Sequence, residues 1–226
     1  MRYKNTKKGI FISRPNRFIA EVDVDGEIKI CHVKNTGRCK ELLIKGVTVI
    51  LEKSGISTRK TEYDLVAVYK GDELINIDSQ APNKVVGEWL ESGNSFNGIT
   101  AIKPESKYKN SRFDFYFEIG SRKIYAEVKG VTLERNGVVL FPDAPTERGA
   151  KHINELIDAK KNGYEAYILF VVQMKNCKYF TPNSETDPIF AEALRNAVKN
   201  NVKVIALNCS VYEDGFDILG EIETRI

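Results

Sequence analysis

A change in the hydrophobic pattern near residue 80 is the feature that most restricts how this chain can fold. Before that point, short apolar segments alternate with turn residues, at Phe18–Val24, Ile28–Val33, Val47–Lys53, Leu65–Lys70 and Leu74–Asp78. After it, segments with helical spacing alternate with strand-like segments. The sequence therefore predicts an all-β domain over residues 1–80 and an α/β domain over residues 84–226, separated near Ser79–Asn83.

The pattern of the first domain is typical of a small β-barrel. Asp25 and Gly26 separate the first two predicted strands, and an Asp-Gly pair suits the tight type I′ turn of a hairpin. Short strands at this spacing suit an OB-like barrel. A generic five-stranded barrel of another topology has the same pattern, so that alternative stays open.

The second domain is predicted as a mixed α/β fold. Its helices are expected over Asn83–Ser92, from an N-cap at Thr146 to Asn162-Gly163, and over Pro188–Asn200. Its strands are expected at Phe113–Ile119, Lys123–Thr132, Gly137–Leu140, Tyr167–Val172 and Val202–Leu207. The almost continuously apolar fourth strand is expected to be covered on both faces. The predicted order is α-β-β-β-α-β-α-β.

Two acidic residues and a lysine on neighbouring predicted strands are the clearest candidates for catalysis. Period-two alternation places Glu127 and Lys129 on one face, and Asp114 lies on the preceding strand. Burying such charges is costly unless they are paired or bind a metal ion. The two carboxylates and the Val128 carbonyl would suit Mg²⁺ or Mn²⁺, with Lys129 orienting the attacking water or stabilising charge on phosphate. A surface Glu–Lys pair is the alternative; Glu88 is either a further metal ligand or a solvated helix acid.

Basic and polar side chains in both domains are candidates for nucleic-acid binding. On the helix that follows Thr146, the face opposite the apolar stripe carries Arg148, Lys151 and His152. In the first domain, the candidates are Arg14, Arg17, Asn35, Thr36 and Arg38, with Phe18 as a stacking partner. The first 20 residues hold six basic side chains and no acidic one, a distribution that attracts polyanions. Solvated charged surfaces, and a turn that simply closes the barrel, are the alternatives.

Several classes of protein are excluded by what the chain lacks. It has no apolar run of membrane-spanning length and no recognisable signal peptide. Motifs of phosphate-binding loops, dinucleotide-binding folds and common serine or zinc hydrolases are absent. The four cysteines form no C-x-x-C pair, so we expect reduced structural thiols rather than a zinc site. A cytoplasmic protein without membrane association is expected.

Five blocks of sequence, spread in order along essentially the whole chain, together resemble one known family. The blocks are His32–Arg38, Gln80–Trp89, Ser111–Phe115, Glu127–Leu133 and Phe141–His152. They resemble the SfsA family, the sugar fermentation stimulation proteins, and the Asp-x₁₂-Glu-x-Lys spacing is similar to that of PD-(D/E)XK nucleases. The resemblance implies an OB-like N-terminal domain, a PD-(D/E)XK nuclease-like C-terminal domain with a central mixed sheet, and DNA binding. Phe113 stands where the nuclease pattern nominally has proline.

These observations favour a DNA-binding protein, for double- or single-stranded DNA, with a metal-dependent endonuclease site. Asp114 and Glu127 would hold the metal ion and Lys129 would assist. A non-enzymatic DNA-binding regulator of sugar (maltose) metabolism on a retained nuclease fold is the main alternative. An OB-fold protein that binds RNA or another protein is a third. Two acidic groups beside a phosphate oppose simple DNA binding, and this favours catalysis.

Overall fold

The computed structural model describes residues 1–35, 37, 39–55 and 58–226. The strands of the N-terminal domain are β1 (Thr6–Asn16), β2 (Ile19–Val24), β3 (Glu27–Val33), β4 (Thr48–Lys53), β5 (Tyr63–Lys70) and β6 (Glu73–Asn76). The C-terminal domain follows in the order α1 (Ala81–Glu91), β7 (Ile99–Tyr108), β8 (Ser111–Ile119), β9 (Arg122–Val131), β10 (Leu133–Arg135), β11 (Val138–Phe141), α2 (Glu147–Lys161), β12 (Glu165–Val172), β13 (Tyr179–Pro182), α3 (Pro188–Lys199), β14 (Lys203–Tyr212) and β15 (Gly215–Thr224).

Five strands close the N-terminal barrel: β2 to β5 correspond to the first four predicted strands, and β1 was not predicted. β1 pairs with β2 and β4, β2 with β3, and β4 with β5, while parallel pairing of β3 with β5 closes the ring. The last predicted strand corresponds to β6, which extends the sheet beyond β5. The predicted hairpin is confirmed, because Asp25 and Gly26 both have positive φ, as a type I′ turn requires.

A nine-stranded mixed sheet forms the centre of the C-terminal domain, in the order β10-β11-β13-β15-β14-β12-β9-β8-β7. β12 is parallel to both of its neighbours, β9 and β14. Its Leu169 and Val171 belong to the apolar cluster that contains α1, whereas Ile168 and Phe170 belong to the cluster that contains α2 and α3. The prediction that this strand is covered on both faces is therefore confirmed.

The helices lie close to their predicted positions. α1 begins at Ala81, two residues before the predicted start, because Pro82 is accommodated in the first turn. Thr146 caps α2 by accepting a hydrogen bond from Gly149 N at 3.1 Å, and Gly163 follows the helix with φ +88°. None of the helices in the described ranges has both the length and the apolar character needed to cross a membrane.

A buried polar cluster, the junction, joins the two domains. Gln173 Nε2, at the end of β12, donates to Asn76 Oδ1 at 2.7 Å and to the carbonyl of Asp78 at 3.2 Å. Both Asn76 and Asp78 are completely buried. Lys34 Nζ, from the barrel, lies 3.1 Å from Asp78 Oδ2 and 3.2 Å from Asp64 Oδ2. Each of these charged groups therefore has a partner of opposite sign, which burial requires.

Apolar side chains and one glycine complete the junction. Ile50 and Val66 of the barrel share a buried cluster with Val85 of α1. Gly130, directly after Lys129 in β9, has no room for a side chain: a Cβ there would collide with the amide of Gln173 and lie close to the ring of Pro82. The barrel, the start of α1 and the end of β9 are consequently packed against one another.

Candidate active site

β8 and β9 separate at the point where the two predicted metal ligands lie. The ladder between these strands runs from Ile119 and Arg122 to Phe115 and Ala126. Beyond the ladder, the Asp114 side chain takes the place of a strand partner, because its Oδ2 accepts the backbone N–H of Val128 at 2.7 Å. The gap between the strands opens into a cleft.

The carboxylate of Asp114 is held from two sides. Its Oδ1 accepts a hydrogen bond at 2.8 Å from Nδ2 of Asn83, in the first turns of α1. Together with the bond from the Val128 amide, this contact restrains the side chain in a single orientation. Sequence reasoning missed Asn83 as part of the site; it lies in one of the blocks that resemble the family, but neither its type nor its spacing indicated a contact with Asp114.

Glu127 is buried, with a residue exposure of 3%, and its two oxygens have different surroundings. Oε1 receives Lys129 Nζ at 2.5 Å and also contacts Nδ1 of His152. Oε2 is buried and has no hydrogen-bond partner among the described residues. A buried carboxylate oxygen without a partner is costly, and a bound cation would satisfy it.

The two carboxyl groups differ in how the protein affects their ionisation. Burial, followed by the negative charge of Glu127, raises the pKa of Asp114 above its ordinary value. Burial also raises the pKa of Glu127, but the hydrogen bond from His152 and the charge and hydrogen bond of Lys129 outweigh it, so that this pKa is lowered. Glu127 is thus the more readily ionised of the two carboxyl groups, and within the described residues Asp114 forms no ion pair.

The cleft that contains these groups has a volume of about 610 Å³. Its lining residues are Ser79, Asn83, Glu105, Arg112, Phe113, Asp114, Glu127, Val128, Lys129, Arg148 and His152. Arg148 is exposed, and its Nε lies 3.4 Å from Nε2 of the buried His152. The cleft therefore combines the buried Glu127 carboxylate and the half-buried Asp114 carboxylate with cationic side chains, as a site for a metal ion and a phosphate group requires.

Two of the residues predicted in the C-terminal domain lie outside this cleft. The structure places Glu88 on a different side of α1, where its Oε2 lies 2.9 Å from the amino group of Met1 and the side chain is 60% exposed. Glu88 is therefore not placed to share a metal ion with Asp114. Lys151 also points away from the cleft: its Nζ lies 3.8 Å from Oε1 of Glu155, and the side chain lines a separate cavity.

The predicted barrel residues fall into two groups. Arg14 donates hydrogen bonds to the carbonyls of Arg17, Asn35 and Gly37, at 2.7 to 2.9 Å. Asn35 Oδ1 accepts the backbone N–H of Gly37 at 2.8 Å. Both side chains shape the loop, which supports the alternative in which this segment is a structural turn. Arg17 is exposed. The predictions for Thr36 and Arg38 lie outside the described residues.

Both domains match known protein families. Residues 12–77 match the family described as the SfsA N-terminal OB domain, and residues 80–215 match the sugar fermentation stimulation protein RE domain. The chain is 58% identical over 226 residues to a sugar fermentation stimulation protein homolog of Ruminiclostridium cellulolyticum, with 100% of both chains covered. It is 59% identical over 217 residues to a homolog of Desulfitobacterium hafniense, covering 96% of this chain and 95% of that protein.

A solved structure matches the full length of the chain. The structure of Pyrococcus furiosus SfsA in complex with Ca²⁺ aligns with a TM-score of 0.91 at 28% sequence identity, covering 100% of this chain and 98% of that one. The predicted architecture, an N-terminal OB barrel followed by an α/β domain with a large mixed sheet, is therefore confirmed.

Proposed function

The chain belongs to the SfsA family, the sugar fermentation stimulation proteins, and from this we propose that it is a cytoplasmic DNA-binding protein that hydrolyses phosphodiester bonds with a divalent cation. The main support is Oε2 of Glu127, which is buried in a cleft beside the Asp114 carboxylate and has no hydrogen-bond partner in the part of the chain that the structure describes. The four free cysteines suit a reducing compartment.

The residues in the cleft fit a hard divalent cation. Asp114 and Glu127 would hold Mg²⁺ or Mn²⁺, and Val128 would contribute its carbonyl, because such ions prefer oxygen ligands. The Pyrococcus furiosus relative was solved in complex with Ca²⁺, which has the same preference for oxygen. A bound ion would also offset the two causes that raise the pKa of Asp114, its burial and the negative charge of Glu127.

The chain's own residues divide the work in this proposal. Asn83 and the Val128 amide fix Asp114, and His152 and Lys129 fix Glu127 through its Oε1. Lys129, with 18% of its side chain exposed, can also reach a phosphate in the cleft and stabilise charge that develops on it. The exposed Arg148 would neutralise a second phosphate oxygen or a neighbouring phosphate. When bound, the cation would supply Lewis-acid chemistry and a more acidic water molecule.

A binding protein without catalysis is the second candidate. Glu127 already has two partners on Oε1, so much of its charge is compensated without a metal ion. A protein that kept this arrangement only for stability would bind DNA and regulate sugar metabolism, for which the relatives are named. This second function supplies no partner for Oε2 of Glu127, which has none among the described residues.

Metal-dependent stability and DNA cleavage, measured on the same variants, test the proposal. Mg²⁺ and Mn²⁺ should raise the melting temperature, and supercoiled, linear or single-stranded DNA should be cut. Lys129→Ala should keep metal binding but lose cleavage by a factor of about 10² or more. Lys151→Ala, a matched control for a lysine outside the cleft, should cut normally. Metal binding without cleavage would favour the regulator, and the absence of both would exclude the metal site.

A further inference from the structure

The outer face of β1, β2 and β3 is unsuited to nucleic acid. Strand register places nine side chains on this face in three rows: Ile10, Asp23 and Ile28; Ser13, Glu21 and Ile30; and Asn16, Ile19 and His32. Four are isoleucines, two are acidic and none is lysine or arginine. The charged side chains in these three rows are all acidic, so this part of the barrel disfavours a polyanion, which favours nucleic-acid contacts at its other edges.

The turn between β1 and β2 has the opposite character. Phe18 is 45% exposed, and the guanidinium of Arg17 lies 5.1 Å from the centre of its ring. The Phe18 backbone is fixed on both sides, because its N–H donates to Asn16 at 2.9 Å and its carbonyl accepts from Val33 at 2.7 Å. No carboxylate within the described ranges forms an ion pair with Arg17. The turn thus presents an exposed aromatic ring, on a fixed backbone, next to an available cation.

This turn is connected to the active-site cleft through adjacent segments. One nitrogen of Arg14, Nη2, donates to the carbonyls of both Arg17 and Asn35, so the turn and the following loop lie side by side. Gly37 of that loop packs against Asp143, since a Cβ on Gly37 would lie 2.5 Å from the Asp143 carboxylate. Asp143 leads into α2, the helix that places Arg148 in the cleft.

We propose that Phe18 and Arg17 form a stacking subsite for an unpaired nucleobase, and that the cleft therefore takes single-stranded DNA. A phenyl ring offers no hydrogen bond to a phosphate, and in a duplex the faces of the bases are already covered by their neighbours. An exposed ring beside a cation instead suits a single strand, in which the base stacks and the phosphate pairs with arginine. This inference rests on the proposed function, whose substrate class it narrows.

Binding without catalysis tests the subsite separately from the nuclease. The full-length protein is titrated against fluorescently labelled single-stranded and blunt duplex oligonucleotides of equal length, in chelator, with fluorescence anisotropy as the readout. The wild type should bind the single strand more tightly. Phe18→Ala should weaken that binding by about 5- to 150-fold, the measured range for loss of one stacked base, and leave duplex binding almost unchanged. Phe18→Trp should retain it, because an indole also stacks.

Ile30→Ala is the matched control, since Ile30 is also 45% exposed but lies on the acidic outer face. It should bind the single strand like the wild type. The subsite is refuted if Phe18→Ala binds the single strand normally, if Ile30→Ala loses as much affinity, or if the wild type prefers the duplex. None of these results bears on metal-dependent cleavage; conversely, a protein that binds as expected but never cleaves would refute only the proposed function.

Discussion

Neutralising the two carboxylates of the cleft, Asp114 and Glu127, should change the stability of the metal-free protein in opposite directions. The raised pKa of Asp114 means that its ionised form is disfavoured in the folded state, so Asp114→Asn should stabilise the protein at neutral pH. The lowered pKa of Glu127 means that its ionised form is favoured, so Glu127→Gln should destabilise it. Both variants should lose stabilisation by Mg²⁺ or Mn²⁺.

The contacts on Glu127 set the size of the expected loss. Its Oε1 accepts a hydrogen bond from the ammonium group of Lys129 and contacts Nδ1 of the His152 imidazole. A hydrogen bond to a charged group contributes about 1.5–3 kcal/mol and a neutral one about 1, so removing the charge should cost about 2 kcal/mol in total. The gain for Asp114→Asn should be on the order of 1 kcal/mol, as for relief of active-site strain. Each kcal/mol corresponds to about 2–4 °C in melting temperature for a chain of this size.

Urea unfolding at pH 7.5 in chelator, followed by the same titration in Mg²⁺, measures both effects. At this pH the unfolded forms of both carboxyl groups are ionised, so the full difference between the folded and unfolded states is observed. The gain for Asp114→Asn should disappear as the pH falls below about 4, the ordinary range for an aspartate. Glu62→Gln, which removes an exposed carboxylate paired with Lys53, should change stability by less than about 0.5 kcal/mol. Equal losses for both cleft variants, or metal stabilisation that persists in either, would refute the reasoning.

Three further predictions concern the junction and the support of the site. Burial raises the pKa of Asp64, but hydrogen bonds from Arg59 and the charge of Lys34 outweigh it and lower this pKa to about 2 from 3.8. Asp64→Asn should therefore reduce the free energy of unfolding by about 2 kcal/mol at pH 7. Urea titrations should show this difference shrinking as the pH falls from about 4 toward 2. Asn83→Ala should weaken Mg²⁺ binding, measured by calorimetry, about 10-fold, because Asp114 loses one of the two groups that orient it. Unchanged affinity would show that Asn83 does not have this role. Gly130→Ala should destabilise the protein by more than about 2 kcal/mol in thermal unfolding, because the added methyl group collides with Gln173 of the junction. A normal melting temperature would show that the junction can adjust.

The period of the apolar residues predicts the buried elements and misses several of the exposed ones. β12 is apolar throughout because both faces are covered, and its sequence shows this directly. β7 is an edge strand with mostly exposed or half-exposed residues, and β15 alternates only weakly in burial, so neither produces an apolar pattern. β1 was missed because an inward position is occupied by Gly9, where a Cβ would lie 2.5 Å from Val22.

Residue spacing along strands predicted more of the site than residue spacing along helices. Glu127 and Lys129 lie side by side because residues two positions apart on a strand point to the same face of the sheet. Asn83 and Glu88, five residues apart on α1, point about 140° away from each other, so only one of them can face the cleft. The pattern alone did not identify which one. Likewise, a loop asparagine that binds its own backbone, such as Asn35, has the same sequence signature as one that binds a ligand.

The buried junction of Asn76, Asp78 and Gln173 holds the barrel and the cleft in one fixed relation. The span from Phe18 to Lys129 is then a constant of the architecture, set by packing rather than by the substrate. A DNA strand that stacks on the first residue and presents a phosphate to the second needs at least enough nucleotides to cover that span when extended. The protein would therefore impose a minimum distance between the stacked base and the cut, whatever the base sequence between them.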